Sequence, residues 1–192
     1  LRESAVQLGS EYPWLPVHAV CADFNDSWPF PDDLPPGRRV VFYPGSTIGN
    51  FEPEAAIDLL RVMHREAGEG GCLLIGADLQ KDIDVLERAY NDSQGITAEF
   101  NLNMLHRLNG EYGADFELDG FRHNAVYNTH DGRIEMHLVS CIAQQVQLLG
   151  RTFNFSEGET IHTENSYKYS VEEFHELGAE AGYEAEQVWT DP

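Results

Sequence analysis

Two short apolar segments, separated by a single helix-length segment, constrain the fold of this chain more than any other feature. The apolar segments are Arg39–Tyr43 and Cys72–Ile75, and residues 52–66 between them carry a proline and acidic residues near the start. Both residue types are favoured in the first turn of a helix. Apolar strands joined through a helix are typical of a parallel sheet covered on both faces. We therefore predict an α/β fold with ligands at the carboxyl ends of its strands.

The first forty residues add a helix, a strand and a loop to this prediction. Residues 1–9 have the spacing of an amphipathic helix, and Val17–Cys21 is a short apolar run that predicts a further strand. The segment Trp28–Arg38 predicts a loop, because its prolines cannot donate hydrogen bonds to a sheet. Cys21 and Cys72 lie in apolar runs and are expected in the core, since free cysteine behaves as a small hydrophobe.

The second half of the chain has the alternating pattern of antiparallel strands. Asp131 and Gly132 separate two alternating runs, which is a strong signal for a β-hairpin. A second hairpin is predicted near Gly150, and Ser170 is a candidate N-cap. The predicted elements are helices at Ile83–Tyr90, Ile96–Leu108 and Val171–Ala181 and strands at Ala125–Tyr127, Arg133–Val139, Val146–Leu149, Thr152–Phe155 and Glu184–Trp189. An antiparallel meander after a parallel sheet indicates a second structural unit.

The charge of the chain limits the kinds of partner that it can bind. Twelve basic residues stand against 33 acidic ones, which gives a net charge of −21. Nucleic acids and anionic membranes both require clustered Lys and Arg, so neither is an expected partner. No apolar run is long enough to span a membrane, and three cysteines are too few for a disulfide framework. These observations predict a cytoplasmic protein.

Three positions at the ends of predicted elements are candidates for ligand binding. Asp23 directly follows a predicted strand, where an acid either accepts hydrogen bonds from a nucleoside or caps the loop. In the turn at residues 45–50, two glycines allow close approach of the backbone to a ligand, and Asn50 can both donate and accept; a tight structural turn is the alternative. Tyr90 lies at a helix end, where tyrosines more often pack than bind.

The polar segment at residues 157–166 is a further candidate. Strand alternation would place His162, Glu164 and Ser166 on one face of a strand. Acceptor atoms on Glu164 and Ser166 could then hold a small ring that carries N–H groups, while a solvated edge strand is the alternative. The histidines and acids of this region do not complete a set of metal ligands, so no metal is predicted.

Four motifs that extend over nearly the whole chain point to one protein family. They are FYPGSTIGNF at 42–51, AYNDSQGITAEFNLNML at 89–105, RIEMHLVS at 133–140 and IHTENSYKYS at 161–170. The first and last are distinctive, because methyltransferases in general do not carry them. With these motifs the chain resembles the histidine-specific Nα-methyltransferases of ergothioneine biosynthesis, which use S-adenosylmethionine (SAM).

The resemblance implies a Rossmann-like SAM-dependent methyltransferase sheet, present in part, with an inserted α+β substrate-binding domain. Residues 1–79 and 168–192 would belong to the methyltransferase domain, and residues 80–167 to the inserted domain. Asp23 and Phe24 match the pair of residues that contacts the adenine side of the cofactor in this family.

The resemblance also implies how an L-histidine substrate would be held. Asn50 matches the residue that binds the amino acid's backbone groups, Tyr90 matches a tyrosine that assists it, and Gly45 lies near the expected position of the substrate amine. The residues that match the imidazole-recognition segment are Glu164, Asn165 and Ser166. The implied reaction is in-line methylation of the α-amine of histidine towards its trimethyl betaine, hercynine. It needs no metal and no covalent nucleophile, and no catalytic residue is assigned.

The chain also departs from the family pattern. The glycine-rich cofactor loop, the acid that ends the following strand and an N-terminal substrate-binding tyrosine have no counterparts. These departures predict a fragment of a longer enzyme that is inactive alone, with later ergothioneine enzymes as expected fused or coupled partners. The alternatives are a SAM-dependent methyltransferase of another amino acid or small amine, and a non-catalytic module that binds a small molecule.

Overall fold

The structure, a computed structural model, describes residues 1–26, 28–30 and 36–191. The chain divides into two compact units, each with its own β-strands. The first unit contains Leu1–Pro44, Pro53–Ile75 and His175–Pro192, and the second contains Gly45–Glu52 and Gly76–Phe174. The domain boundaries expected after residues 79 and 167 stay a prediction. Within the described ranges, no helix is both long and apolar enough to cross a membrane.

The first unit is built on the parallel strands that the apolar segments predict. Strand β1 (Val40–Tyr43) pairs with strand β2 (Cys72–Ile75) in parallel. Helix α2 (Pro53–Ala67) connects these strands and carries Pro53 and Glu54 in its first turn. Its buried residues recur three or four positions apart, and they are Ala56, Leu59, Leu60, Met63 and Ala67. The predicted order of strand, helix and strand is therefore confirmed.

Two predicted strands are wrong. Val17–Cys21 and Glu184–Trp189 form no β-ladder with any described residue. A strand requires a hydrogen-bonded neighbour, and an apolar run that finds none stays irregular. Cys21 is accordingly exposed and Cys72 only partly buried, so the expectation that both cysteines lie in the core is also wrong.

The N-terminal helix and the proline-rich loop agree with the sequence pattern where the structure describes them. Helix α1 (Arg2–Glu11) extends two residues beyond the predicted range of 1–9. In the segment Trp28–Arg38, residues 28–30 and 36–38 are neither helix nor strand, as expected for a loop. Residues 31–35 of that loop lie outside the described residues.

The second unit contains the antiparallel strands that the alternating pattern predicts. Its main sheet has the order β3-β4-β7, and β5 and β6 form a separate hairpin. These strands are β3 (Phe121–Asn128), β4 (Arg133–Ser140), β5 (Gln144–Leu148), β6 (Arg151–Phe155) and β7 (Thr160–Tyr167). Both predicted hairpins are confirmed, and β7 is an edge strand.

The predicted helices beyond residue 80 are also confirmed. They are α3 (Ile83–Tyr90), α4 (Ile96–Tyr112) and α5 (Val171–Glu180). Ser170 caps α5 as expected: its Oγ accepts from the Glu173 backbone N–H at 3.1 Å, while the Glu173 carboxylate accepts from the Ser170 N–H at 2.7 Å. This reciprocal pair is a capping box, which satisfies two donors at the helix start.

Strand β4 gives the main sheet one buried face and one polar face. Ile134, Met136 and Leu138 are almost fully buried and pack with residues of β3, α3 and α4. We call this side the inner face. The opposite side, the outer face, carries Arg133 and Glu135 of the same strand. Because residues directly opposite each other in paired strands share a face, the register assigns the residues of β7 to one side or the other.

Candidate active site

The turn that begins at Gly45 packs directly on strand β7. Gly45 (φ 79°) and Ser46 (φ 57°) both adopt left-handed backbone conformations, which glycine tolerates without strain. A Cβ atom at Gly49 would lie 2.7 Å from the backbone oxygen of Tyr167, so only glycine fits at this contact. The close approach brings the next residue, Asn50, beside β7.

Glu52 accepts hydrogen bonds that hold the end of this turn against the outer face of the sheet. Its carboxylate accepts hydrogen bonds from the Asn165 side-chain amide at 2.8 Å and from the Tyr167 hydroxyl at 2.5 Å. The Arg133 guanidinium donates to the same carboxylate at 3.2 Å. Because Glu52 follows Asn50 by two residues, these bonds restrict where the Asn50 side chain can lie.

A cavity of about 370 Å³ lies beside this turn, at the edge strand β7. Its lining residues are Asn50 from the turn and His162, Thr163, Glu164 and Asn165 from the strand. Three residues that the sequence analysis assigned to the substrate are thus neighbours in space, although the turn and the strand are far apart in the sequence.

A β-bulge in β7 determines which of these side chains share a face. Met136 lies opposite Glu164 and His137 lies opposite His162, which leaves Thr163 as the extra residue. Glu164 therefore belongs to the inner face and His162 to the outer face. The prediction that these two side chains share one face is wrong, because the extra residue shifts the strand alternation by one position.

Ser166 shares the inner face with Glu164, but its hydroxyl is buried in a polar network instead of lining the cavity. The Tyr90 hydroxyl lies 2.8 Å from Ser166 Oγ. Lys168 Nζ donates to the Tyr90 hydroxyl at 2.9 Å and to Ser166 Oγ at 2.8 Å, and it pairs with Asp78 Oδ2 at 3.0 Å. The structure thus links two predicted substrate-binding residues through a lysine.

Lys168 and Asp78 were not predicted as site residues from the sequence. A signal for Lys168 was available, because it lies in the last family motif and continues the alternation of Glu164 and Ser166. A lysine that follows predicted site residues at a spacing of two positions could have been predicted as a further site residue. Asp78 had no such signal, since only the folded chain brings it to Lys168.

Burial and neighbouring charge shift the pKa values of the carboxyl groups of this region in opposite directions. Burial raises the pKa of Glu164 above its ordinary value, and the nearby Lys168 charge opposes this rise. For Asp78, burial favours a higher pKa, but hydrogen bonds from Lys81 and Lys168 outweigh it and lower the pKa. Asp78 therefore stays ionised beside its two lysines.

The outer face holds the only group of described residues with the spacing of a metal site. One ligand atom each from Glu135, His137 and His162 lies within 4.8 Å of the others. The Glu135 carboxylate already accepts hydrogen bonds from Asn128 and from Arg133, each at 2.9 Å, and these bonds lower its pKa to about 2. The adjacent guanidinium opposes a cation here, and metal-free chemistry stays a prediction.

Asp23 and Phe24, which the resemblance assigns to the cofactor, lie in the first unit. Asp23 Oδ1 accepts hydrogen bonds from the Asn25 backbone and side chain, as in the loop-capping alternative. The Phe24 ring lies 6.2 Å from that of Tyr43, whose buried hydroxyl has no described hydrogen-bond partner. An aromatic ring beside one unpaired buried hydroxyl is compatible with an aromatic ligand, and the assignment of Asp23 and Phe24 to the adenine side of SAM stays a prediction.

Comparison with known proteins identifies the family. The model of a family described as histidine-specific, SAM-dependent methyltransferases matches residues 1–192. The chain belongs to this family. It is 41% identical, over its whole length, to the histidine N-alpha-methyltransferase of Mycolicibacterium smegmatis, and it covers 60% of that protein. It is 38% identical to the histidine N-alpha-methyltransferase of Mycobacterium tuberculosis, again over its whole length and 60% of the relative.

More distant similarities extend to fungi and to a solved structure. The chain is 28% identical to ergothioneine biosynthesis protein 1 of Neurospora crassa, over 93% of this chain and 20% of that protein. A crystal structure of a SAM-dependent methyltransferase from Clostridium acetobutylicum aligns with a TM-score of 0.40 and 10% identity, over 94% of this chain and 60% of that one. The chain spans about 60% of the length of the two bacterial histidine N-alpha-methyltransferases that it matches.

Proposed function

We propose that the protein methylates the α-amine of L-histidine with SAM as donor, towards hercynine, a step of ergothioneine biosynthesis. Family membership and the names of the bacterial relatives support this assignment. The structural observation that carries it is the shared cavity: Asn50, which can bind the amino acid's backbone groups, and Glu164, which can bind a ring N–H, line the same space. A cavity of about 370 Å³ is within the usual range for small-molecule sites.

The proposed roles follow from the hydrogen-bonding capacity of each group. The Asn50 amide can donate to the carboxylate of histidine and accept from its amine. The Glu164 carboxylate is an acceptor for one ring N–H, and the hydroxyl pair of Tyr90 and Ser166, on the same strand face as Glu164, would supply a donor. Gly45 adds no side chain where the amine is expected.

The chemistry that these residues support is a direct displacement. SAM, when bound, supplies a methyl group on a sulfonium, which needs no further activation as a leaving group. The residues of this chain hold the amine in line, and such positioning can lower a barrier by about 7–11 kcal/mol. Ring recognition by Glu164 supplies the specificity, because a site built to hydrogen-bond a ring leaves its polar groups unpaired around side chains that cannot reciprocate.

Incubation of the full-length protein with SAM and each amino acid separately, with products identified by mass spectrometry, tests this proposal. We expect methylation of histidine alone, up to the trimethylated product. Methylation of another amino acid or amine would assign a different substrate. A folded protein that binds histidine but transfers no methyl group would favour the binding-module alternative.

We also propose a cytoplasmic location and coupling to later enzymes of ergothioneine synthesis. The strong negative charge and the few cysteines support the first, and the much longer fungal relative is compatible with the second. Fractionation of the source cells, followed by mass spectrometry of proteins co-purifying with the full-length chain, tests both.

A further inference from the structure

The buried ammonium of Lys168 has an acceptor for each of its three N–H donors. Its side chain is 1% exposed, and Nζ lies 3.0 Å from Asp78 Oδ2, 2.9 Å from the Tyr90 hydroxyl and 2.8 Å from Ser166 Oγ. A buried charge is costly unless it is paired and hydrogen-bonded, and here both conditions hold. Asp78 is in turn held by Lys81 at 2.5 Å, and its backbone N–H donates to Ser46 Oγ at 2.7 Å.

The lysine restricts the direction of the hydrogen bonds around it. An ammonium has no acceptor, so the oxygens of Tyr90 and Ser166 must both accept from Lys168. The two hydroxyls are 2.8 Å apart, and one of them donates to the other. Two hydroxyl protons are present and one is used in this way. Among the described residues, the remaining proton has no acceptor, so it can be donated to a ligand.

The chemistry of the two hydroxyls indicates which proton remains. A phenol is a stronger acid than an aliphatic alcohol and therefore the better donor, while the serine oxygen has two lone pairs and can accept from Lys168 and Tyr90 together. Tyr90 then donates to Ser166, and the Ser166 O–H is the remaining donor. It lies on the same face of β7 as the Glu164 carboxylate, which can only accept when ionised.

We propose that Lys168 is a positioning residue that sets this direction and so makes Ser166 a donor to one nitrogen of a neutral imidazole, whose other nitrogen donates to Glu164. The inference rests on the proposed function, because it names the ring form that the same site selects. Neutral imidazole has one acceptor nitrogen and one N–H, which complement one donor and one acceptor. Asp78 acts indirectly, because its carboxylate balances the charge of Lys168.

Binding of two ligands to a Lys168→Met variant of the full-length protein tests this role. Methionine keeps a long unbranched side chain and removes the three donors, and Asp78 keeps Lys81 as its partner. The ligands are L-histidine and L-2-thienylalanine, whose five-membered aromatic ring has no nitrogen, and calorimetry with S-adenosylhomocysteine present gives both affinities. We expect a loss of about 10- to 100-fold for histidine and less than about threefold for thienylalanine.

Lys81→Met is the matched control. Lys81 binds the same Asp78 carboxylate, but it is exposed and reaches neither hydroxyl. We expect both affinities to stay within about twofold of the wild type. An equal loss of both ligands in Lys168→Met would mean that the lysine only supports packing, and unchanged histidine affinity would mean that it has no influence on the ring. Either result would overturn the proposal.

A measurement without any ligand separates this proposal from the proposed function. In protein labelled with ¹³C at the tyrosine Cζ, the Tyr90 resonance should shift in Lys168→Met and in Ser166→Ala, and stay in place in Lys81→Met. If the wild type binds neither histidine nor thienylalanine, the proposed function fails, and the shift still decides whether Lys168 controls the hydroxyl pair. An unchanged Tyr90 resonance in Lys168→Met would refute the network.

Discussion

The inner and outer faces of strands β4 and β7 both carry polar networks, but the two networks differ in what they leave unpaired. On the inner side, Lys168 is buried with Tyr90 and Ser166, and one hydroxyl proton has no acceptor among the described residues. On the outer side, the carboxylates of Glu52 and Glu135 are bound by neighbouring donors, while His137 Nδ1 and Asn165 Oδ1 are buried without a described hydrogen-bond partner.

This difference indicates which polar groups are available to a ligand and which stabilise the fold. Carboxylates that neighbouring donors already bind have little to offer a ligand, and their hydrogen bonds rigidify the backbone that they connect. A buried network with a donor left over is poised for a partner, since an unpaired buried polar group is costly. We therefore expect substitution of the paired outer-face carboxylates to change stability, and inner-face substitutions to change histidine recognition.

The largest effect is expected where the turn meets the sheet. Gly49→Val places a branched side chain against the Tyr167 backbone oxygen, which a Cβ alone would approach to 2.7 Å, and should lower the free energy of unfolding by about 3 kcal/mol. Chemical denaturation measures this change. Gly110→Ala in helix α4 is the control, because a Cβ there meets nothing within 4 Å, and it should raise stability by about 0.5–1 kcal/mol. A tolerated valine at 49 would mean that the turn does not pack on β7 as described.

Glu164 on the inner face is expected to contribute directly to histidine binding. Glu164→Gln should weaken histidine binding by about 1.5–3 kcal/mol, the usual contribution of a hydrogen bond to a charged group, and leave cofactor affinity unchanged. Titration calorimetry with each ligand separates the two effects. Parallel loss of histidine and cofactor binding would instead indicate a damaged fold.

The pH dependence of histidine binding should report the same carboxylate. Burial raises the pKa of Glu164, so the acceptor form is lost as the pH falls through that raised value. Protonation of the free histidine ring, whose pKa is about 6.5, affects the affinities of the wild type and the variant equally. The wild type should therefore lose its affinity advantage over Glu164→Gln on acidification, and a constant ratio from pH 8 to pH 4 would contradict this.

On the outer face, Glu135→Gln should change stability and leave substrate choice alone. Hydrogen bonds from Asn128 and Arg133 lower the pKa of Glu135 to about 2, so its contribution is present above the unfolded-state pKa of about 4.3 and is lost as the pH falls towards 2. At pH 7 we expect a loss of about 1–2 kcal/mol in the free energy of unfolding, with the gap to wild type closing at pH 2 to 3. A changed histidine preference would show that the two faces are coupled.

The smallest effect is expected for Asn165. The resemblance assigns Asn165 to imidazole recognition, which stays a prediction; Asn165 lines the cavity, lies opposite Glu135 on the outer face and donates to Glu52. Asn165→Ala should cost about 0.5–1 kcal/mol of stability and change histidine affinity by less than about threefold. A loss as large as that of Glu164→Gln would show that Asn165 contacts the ligand directly.

The success and failure of the strand predictions have one physical explanation. The runs at 40–43 and 72–75 became strands because each is the other's hydrogen-bonded neighbour, whereas Val17–Cys21 has the same apolar character and pairs with no described residue. Hydropathy measures the tendency of a segment to be buried, and it does not identify the partner that a ladder needs. The hairpins were predictable because turn residues and pairing strands are close in sequence.

Some features of the candidate site could likewise be predicted from the sequence, whereas others depend on the tertiary structure. The sequence by itself determined the family motifs, the secondary elements around them and the residue types available for binding, since these depend on local pattern. Only the tertiary structure decided that Asn50 meets Glu164, that the bulge at Thr163 sends His162 to the outer face, and that Lys168 joins Tyr90 to Ser166. These outcomes depend on strand register and on contacts between distant segments, which no local pattern encodes.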